Sequence, residues 1–161
     1  MITKRLLYRI WTYLEHHNAA IWFVVGFITA FLGHGVWFEW AHQYSWDRQT
    51  LFSAAFDFGG IYTAFLFAFY TYSISSGSEF FQQARSTKAF KNTITYVKRA
   101  IVLGFLMTLT SVPMMIWNPN LYLEFQLSNW AFCFWAAIVF GATAAFWRAT
   151  RLFWIFARNA E

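Results

Sequence analysis

Residues 51–73 read LFSAAFDFGGIYTAFLFAFYTYS, an apolar stretch interrupted by a single charged side chain, Asp57. A helix rises about 1.5 Å per residue, so it needs roughly 20 apolar residues to cross the hydrocarbon core of a bilayer. Three further stretches meet this requirement: 18–40, 99–117 and 130–147. The sequence therefore predicts an all-α integral membrane protein, a four-helix bundle of four spans.

The composition leaves no room for a separate soluble domain. The chain has 161 residues, of which 59% are hydrophobic and 24% are aromatic. Four spans and their flanks use nearly all of this length, so residues 1–161 are predicted to form one transmembrane domain. The only cysteine, Cys133, falls in the fourth span, which excludes an internal disulfide and a paired-cysteine redox or zinc site.

The positive charges are distributed unevenly between the two sides of these spans. Lys4, Arg5 and Arg9 precede the first span, five basic residues lie between the second and third, and three follow the fourth; Arg48 alone lies in another connection. Cytoplasmic loops are enriched in Lys and Arg, so both termini and the middle loop are predicted to be cytoplasmic. This asymmetry explains the net charge of +5 without nucleic acid as a direct partner.

The flanks of the spans carry their own helical signals. Residues 1–17 are predicted to form an interfacial helix, because apolar residues recur at helical spacing beside basic ones. In the middle loop, residues 75–78 (SSGS) should end the second helix, and Ser78 should cap a short helix. Ser86 is predicted to cap the third helix, which therefore begins in the cytoplasm before entering the membrane. The fourth helix should continue past Arg148.

The basic residues of the cytoplasmic side have two interpretations. They either contact anionic lipids and set the topology, or they dock a soluble cytosolic partner protein. The candidate residues for lipid or partner binding are Arg85, Lys88, Lys91, Lys98, Arg99, Arg148 and Arg151.

Two ionisable residues fall inside the spans. His34 lies six residues inside Trp40, and Asp57 lies six residues inside Leu51, so both are roughly 9 Å below the outer boundary. Ionisable groups in a bilayer are costly, which makes each a candidate functional residue. The two can form a hydrogen bond or ion pair across adjacent spans; alternatively, each reaches water or a hydroxyl separately and only fixes helix packing.

The second span also carries a narrow face of small and polar residues. Its members, spaced by four and three, are Asp57, Gly60, Ala64, Ala68, Thr71 and Ser75. Such a face either lets a neighbouring helix approach closely or lines a pore. Each other span has a similar face, so packing within the bundle is the default interpretation, and a pore requires an oligomer. The predicted pore or polar-stripe residues are His34, Asp57, Gly60, Ala64, Thr71, Ser75, Thr108 and Ser111.

Motifs of catalysis are missing from the sequence. It contains no metalloprotease motif, no phosphate-binding glycine loop and no pattern of a nucleophile with its base. The loop acids and histidines are too sparse for a metal site. The sequence therefore predicts a protein that is not an enzyme and that needs neither a cofactor nor a metal.

One region resembles a known group of proteins. Its residues are 60–67 (GIYTAFLF), 73–76 (SISS), Ser86, Phe90, Tyr96, 100–101 (AI), Thr108 and Ser111. In order and spacing they resemble the second-to-third-helix region of small four-span proteins of phage-defence and superinfection-exclusion loci, such as the membrane components of the Kiwa and Rex systems. This resemblance implies a homo-oligomer in the bacterial inner membrane that senses infection or changes permeability.

Three functions follow from these observations. The first is an oligomeric component of an anti-phage defence system, acting as a sensor or an ion-leak pore. The second is a membrane anchor that recruits a soluble cytosolic partner through its basic surface. The third is a small-solute or proton-coupled transporter that uses His34 and Asp57.

Overall fold

The computed structural model describes residues 17–44, 47–77, 79–117 and 127–158. Within these ranges the helices are α1 (Asn18–Gln43), α2 (Arg48–Ser75), α3 (Glu79–Arg85), α4 (Lys88–Trp117) and α5 (Leu127–Arg158). All except α3 are long and apolar enough to cross a membrane. This confirms the predicted all-α, four-span architecture. The interfacial helix predicted over residues 1–17 lies outside the described residues, apart from His17.

Helix α2 is closed at both ends by side chains. At its start the Asp47 carboxylate accepts hydrogen bonds from the Gln49 amide and the Thr50 hydroxyl, each at 3.0 Å. These bonds satisfy an amide that lacks a partner within the helix. The helix ends at Ser75, as the SSGS stretch predicts. Beyond it, the Arg85 guanidinium donates to a carbonyl inside the helix and to the carbonyl of Ser76.

Helix α4 begins before the predicted span 99–117, as expected, but its cap is not the expected residue. It starts at Lys88, and the Phe90 amide donates to the Thr87 hydroxyl oxygen at 3.2 Å. The prediction that Ser86 caps this helix is therefore wrong. The Ser86 hydroxyl instead donates to the carbonyl of Gln83, at 2.7 Å, because Ser86 still belongs to the turn that closes α3.

The long helices pack in an order that differs from their order in the chain. Helix α1 packs on α5, α5 on α4, and α4 on α2, whereas the described residues of α1 and α2 hardly contact each other. In the membrane-spanning part of α5, 44% of the residues are buried inside the chain, against 11% in α1. Helices α4 and α5 therefore form the centre, and α1 and α2 flank them.

The positively charged residues gather at one end of the bundle. The Asn18 side chain donates to the Ala144 carbonyl, joining the start of α1 to the late part of α5. The Lys98 ammonium lies 5.4 Å from the Tyr70 ring, joining the early part of α4 to the late part of α2. This end, which we call the basic end, carries every Lys and Arg of the described residues except Arg48. That it faces the cytoplasm remains a prediction.

Candidate functional site

Helix α2 has two faces with opposite environments. One face is buried against α4 and α5 and consists of Phe52, Ala55, Gly59, Tyr62, Leu66 and Ser73. The small and polar residues predicted from the sequence are all exposed, and at 3.6 residues per turn they lie on the opposite side of the helix. We call this exposed set, Asp57, Gly60, Ala64, Ala68, Thr71 and Ser75, the α2 stripe. The described helices of the chain do not pack on the α2 stripe.

Two adjacent glycines show the difference between the faces. A Cβ atom on Gly59 would lie 2.6 Å from the Thr108 hydroxyl and 3.3 Å from the Gly104 carbonyl of α4. A Cβ atom on Gly60 would meet nothing within 4 Å. Gly59 is therefore required for the close approach of α2 and α4, whereas nothing in the described part of the chain requires a small residue at position 60.

The small faces of the other three spans are used inside the chain. In α1, a Cβ on Gly26 would lie 2.7 Å from the Phe140 Cβ of α5, and Ala30 is buried. In α5, Cys133 and Ala137 are fully buried. In α4, a Cβ on Gly104 would overlap the side chains of Tyr62 and Thr63. Packing within the bundle, the default interpretation, thus describes the small faces of these spans and does not describe the α2 stripe.

The two predicted stripe residues of α4 are part of this internal packing. The Thr108 hydroxyl donates to the Gly104 carbonyl of its own helix and faces Gly59. Ser111 is fully buried; its hydroxyl donates to the Met107 carbonyl at 2.8 Å and accepts a hydrogen bond from the Trp135 indole at 3.0 Å. The structure therefore places Thr108 and Ser111 between helices, away from the α2 stripe.

Asp57 is the most unusual member of the α2 stripe. Its side chain is exposed on the outer surface of a membrane-spanning helix. In the part of the chain that the structure describes, no hydrogen-bond donor or cation pairs with its carboxylate. A carboxylate at the centre of a spanning helix costs about 2.5–3.5 kcal/mol on insertion scales, and such residues normally face protein or a water-filled cavity.

The hypothetical pair of His34 and Asp57 is not formed. The Nδ1 atom of His34 lies 2.9 Å from the Phe31 carbonyl oxygen of its own helix. His34 is on α1 and Asp57 is on α2, and these are the two flanking helices that hardly contact each other. The predicted pair requires consecutive spans to be neighbours, and the packing order of the helices separates them.

The hydroxyl groups of the α2 stripe bond to their own helix. Thr71 donates to the Phe67 carbonyl at 2.5 Å, and Ser75 donates to the Thr71 carbonyl at 2.8 Å. Because each hydroxyl proton is used in this way, the lone pairs left on the oxygens face outward as hydrogen-bond acceptors. The outward surface of the α2 stripe therefore consists of small side chains, acceptor oxygens and one carboxylate.

The side chain of Arg85, predicted to bind a partner or lipid, points toward the end of α2. Its guanidinium donates to the Ser73 carbonyl at 3.2 Å and to the Ser76 carbonyl at 2.6 Å, where α2 ends. Cations near a helix C-terminus are stabilised by the helix dipole. We infer that Arg85 mainly holds the loop between α2 and α4 in place.

The other predicted basic residues divide into two groups. Lys88 and Lys91 are exposed on the part of α4 that precedes the apolar stretch 99–117, and Arg151 is exposed on α5. Lys98 and Arg99 of α4 line one groove together with Arg148 of α5. Sequence reasoning did not assign His17 and Tyr96 to this group, although both line the groove, because no spacing along the chain signals a contact among three different helices.

Comparison with known proteins assigns no relative to this chain. No protein family, no curated protein and no solved structure matches it. Among the described residues, no group of His, Cys, Asp and Glu is arranged to hold a metal ion. The geometry of the α2 stripe and of the basic end therefore carries the functional argument.

Proposed function

We propose that this protein is a homo-oligomeric membrane protein whose copies associate through the α2 stripe, and that the stripe lines a polar path between them. In this proposal it is the inner-membrane component of a bacterial anti-phage defence system and acts as a sensor or an ion-leak pore. The observation that supports it is the Asp57 carboxylate on the outward face of α2, unpaired by any of the described residues. The role in phage defence comes from the resemblance of residues 60–111.

Leaving the α2 stripe in lipid is energetically costly. Hydrocarbon offers no hydrogen bond to the Asp57 carboxylate or to the acceptor oxygens of Thr71 and Ser75. Water held between copies supplies the missing donors, because the stripe of a second copy presents the same acceptors. Association through this face therefore removes an unfavourable exposure that nothing in the described chain removes.

The α2 stripe also has a shape that suits contact with another helix. Helices associate in membranes through small residues, which let their backbones approach closely, because lipid provides no hydrophobic driving force. Gly60, Ala64 and Ala68 provide such a surface along α2, and all three are exposed. The large exposed side chains of α2, such as Ile61 and Phe67, lie beside the stripe and are suited to lipid.

The packing of the helices limits where a path for ions can run. The four spanning helices pack in the order α1, α5, α4, α2, and the described core between them is filled by large side chains such as Tyr62, Phe52 and Met107. A path through one copy is therefore blocked. A path between copies, with the α2 stripes around a symmetry axis, has polar walls at the depth of Asp57.

Ion flux into liposomes tests this function. Purified protein is reconstituted, and flux is compared for wild type, Asp57→Asn and the control Glu79→Gln, which removes a carboxylate from the short helix α3 outside the spans. We expect wild-type flux well above that of empty vesicles, a changed flux for Asp57→Asn, and no change for Glu79→Gln. Wild-type leakage equal to that of empty vesicles under activating conditions would exclude the pore.

A second candidate function is supported by the extension of α4. Lys88 and Lys91 are exposed on a helical segment that precedes the membrane-spanning part of α4, so they form a basic surface outside the bilayer. Such a surface suits an anchor that recruits an acidic cytosolic protein. Co-purification of a cytosolic protein that is lost in the double variant Lys88→Glu with Lys91→Glu, and retained in Arg48→Glu, would favour this function.

The transporter hypothesis loses its basis, since it requires His34 and Asp57 to form a pair and the two residues lie apart.

A further inference from the structure

The basic end contains a groove that the proposed function does not use. It has a volume of about 480 Å³ and is bounded by the start of α1, the early part of α4 and the late part of α5. Its lining residues are His17, Ala19, Ala20, Tyr96, Lys98, Arg99, Val102, Leu103, Ala145 and Arg148. It lies at the level where the basic extension of α4 meets the apolar, membrane-spanning part of that helix.

The mouth of the groove is strongly positive. Arg99 of α4 and Arg148 of α5 contribute two fixed cations, and the imidazole ring of His17, just before α1, lies beside them. Lys98 also lines the groove, with its ammonium over the Tyr70 ring of α2. No carboxylate is among the described residues that line it. The Arg148 guanidinium lies over the Tyr96 ring, 3.9 Å from its centre, a cation–π contact that orients the guanidinium. Converging cations without a carboxylate are suited to bind a phosphate group.

The rest of the groove is apolar. Ala19 and Ala20 of α1, Val102 and Leu103 of α4 and Ala145 of α5 form its walls. One turn before Ala145, a Cβ on Gly141 would lie 3.2 Å from the Ala19 carbonyl, so α1 and α5 approach closely there. Val102 is 57% exposed, and from there the groove is open to the side, where lipid would lie.

We propose that this groove is a binding site for an anionic membrane phospholipid. Its phosphodiester lies between Arg99 and Arg148, and an acyl chain runs along Val102 and Leu103. A charged mouth joined to an apolar wall matches an amphipathic ligand, and basic pockets between spanning helices suit phospholipid headgroups. The site is specific in position, unlike the general attraction of a basic surface to anionic lipid, and it does not depend on how copies of the chain associate.

Native mass spectrometry of the full chain in detergent tests the site, with phosphatidylglycerol titrated as the anionic lipid and phosphatidylcholine as the zwitterionic one. We expect phosphatidylglycerol to bind in preference, with one tightly bound lipid per chain. The double variant Arg99→Gln with Arg148→Gln should weaken this binding about tenfold or more, since each removed guanidinium contact to phosphate is charge-assisted. The melting temperature in phosphatidylcholine nanodiscs reports whether the variant folds.

A matched control variant has the same net charge as the first double variant. The double variant Lys88→Gln with Lys91→Gln also removes two positive charges, both from the part of α4 outside the groove, so the tight lipid should remain bound. Equal weakening by both double variants would overturn the proposal, since it would indicate diffuse electrostatic attraction. Should the first double variant fail to fold, the single variant Arg99→Gln replaces it, because the side chain of Arg99 is exposed.

A second variant separates a lipid from a free anion. Val102→Trp fills the apolar wall without altering charge, and its exposed position makes the larger side chain tolerable. We expect this variant to bind phosphatidylglycerol more weakly. Its affinity for inorganic phosphate, which binds only at the charged mouth of the groove, should stay unchanged. The lipid site would be contradicted by two results together: inorganic phosphate displaces the lipid at low concentration, and Val102→Trp binds the lipid as wild type does. These results would indicate a site for small anions.

Discussion

Gly59 and Gly60 of helix α2 are adjacent in sequence, but they lie on faces with opposite environments. The face of Gly59 meets Thr108 and Gly104 of α4, so closely that an added Cβ atom would force a shift. The face of Gly60 carries Asp57 and meets no other part of the described chain. The first face holds the single chain together, and the second has the composition of a helix contact without the contact. This difference points to association between copies.

The largest effect that we expect separates these glycines directly. Gly59→Leu should destabilise the folded monomer by about 1–3 kcal/mol or more, because the new side chain overlaps the backbone and hydroxyl of α4. Gly60→Leu should leave the monomer folded and weaken self-association by about tenfold or more, because the backbones of α2 cannot approach. Denaturation in detergent and light scattering after size-exclusion chromatography measure the two quantities. Equal effects of both variants on monomer stability would remove the distinction between the faces.

A second prediction concerns the hydrogen bond inside the bundle. Ser111→Ala leaves the buried Trp135 indole without its acceptor, which should lower the free energy of unfolding by about 1–3 kcal/mol. The control Ser75→Ala removes a hydroxyl of the α2 stripe and should change monomer stability by less than about 0.5 kcal/mol. The measurement is denaturant unfolding followed by tryptophan fluorescence. An unchanged Ser111→Ala stability would mean that the Trp135 bond contributes nothing.

A third prediction concerns the carboxylate. Asp57→Asn removes a carboxylate that the copies present to one another and adds an amide donor, so it should strengthen self-association by about 1 kcal/mol, the size of a hydrogen bond between membrane helices, while the monomer remains folded. Analytical ultracentrifugation over a range of protein-to-detergent ratios gives the association constant. Association that is unchanged by Asp57→Asn but lost by Gly60→Leu would show that packing alone joins the copies.

The smallest expected effect lies at the basic end, far from either face. Thr87→Ala removes the cap of α4 and should lower stability by about 1 kcal/mol, whereas Ser86→Ala should cost less, because Ser86 only closes the turn after α3. Thermal denaturation followed by circular dichroism compares the two. A larger loss for Ser86→Ala would reverse the capping assignment.

Much of the fold was predictable because it depends on patterns along the chain. The length of the apolar stretches defines four spans, and the SSGS stretch ends α2 where it is expected. The assignment of caps was less accurate, since Ser86 and Thr87 are chemically equivalent neighbours and only the end of α3 distinguishes them.

The candidate site was only partly predictable, because it depends on which helices are neighbours. The spacing of Asp57, Gly60 and Ala64 identifies a stripe, but the same spacing occurs in α4 around Thr108 and Ser111, where it is buried. Nothing in the spacing tells which stripe faces another helix of the same chain. The packing order of the helices also separates His34 from Asp57 and joins Arg99 to Arg148, and neither result follows from local sequence.

Disulfide crosslinking in native membranes tests most directly whether copies meet through the α2 stripe. In a Cys133→Ala background, Ala64→Cys places one thiol on the stripe, and Phe105→Cys places one on the exposed surface of α4. Two thiols crosslink only when their Cα atoms come within about 7 Å. We predict that oxidation gives covalent dimers of Ala64→Cys and leaves Phe105→Cys monomeric. Monomeric Ala64→Cys, or equal crosslinking of both variants, would contradict association through this face.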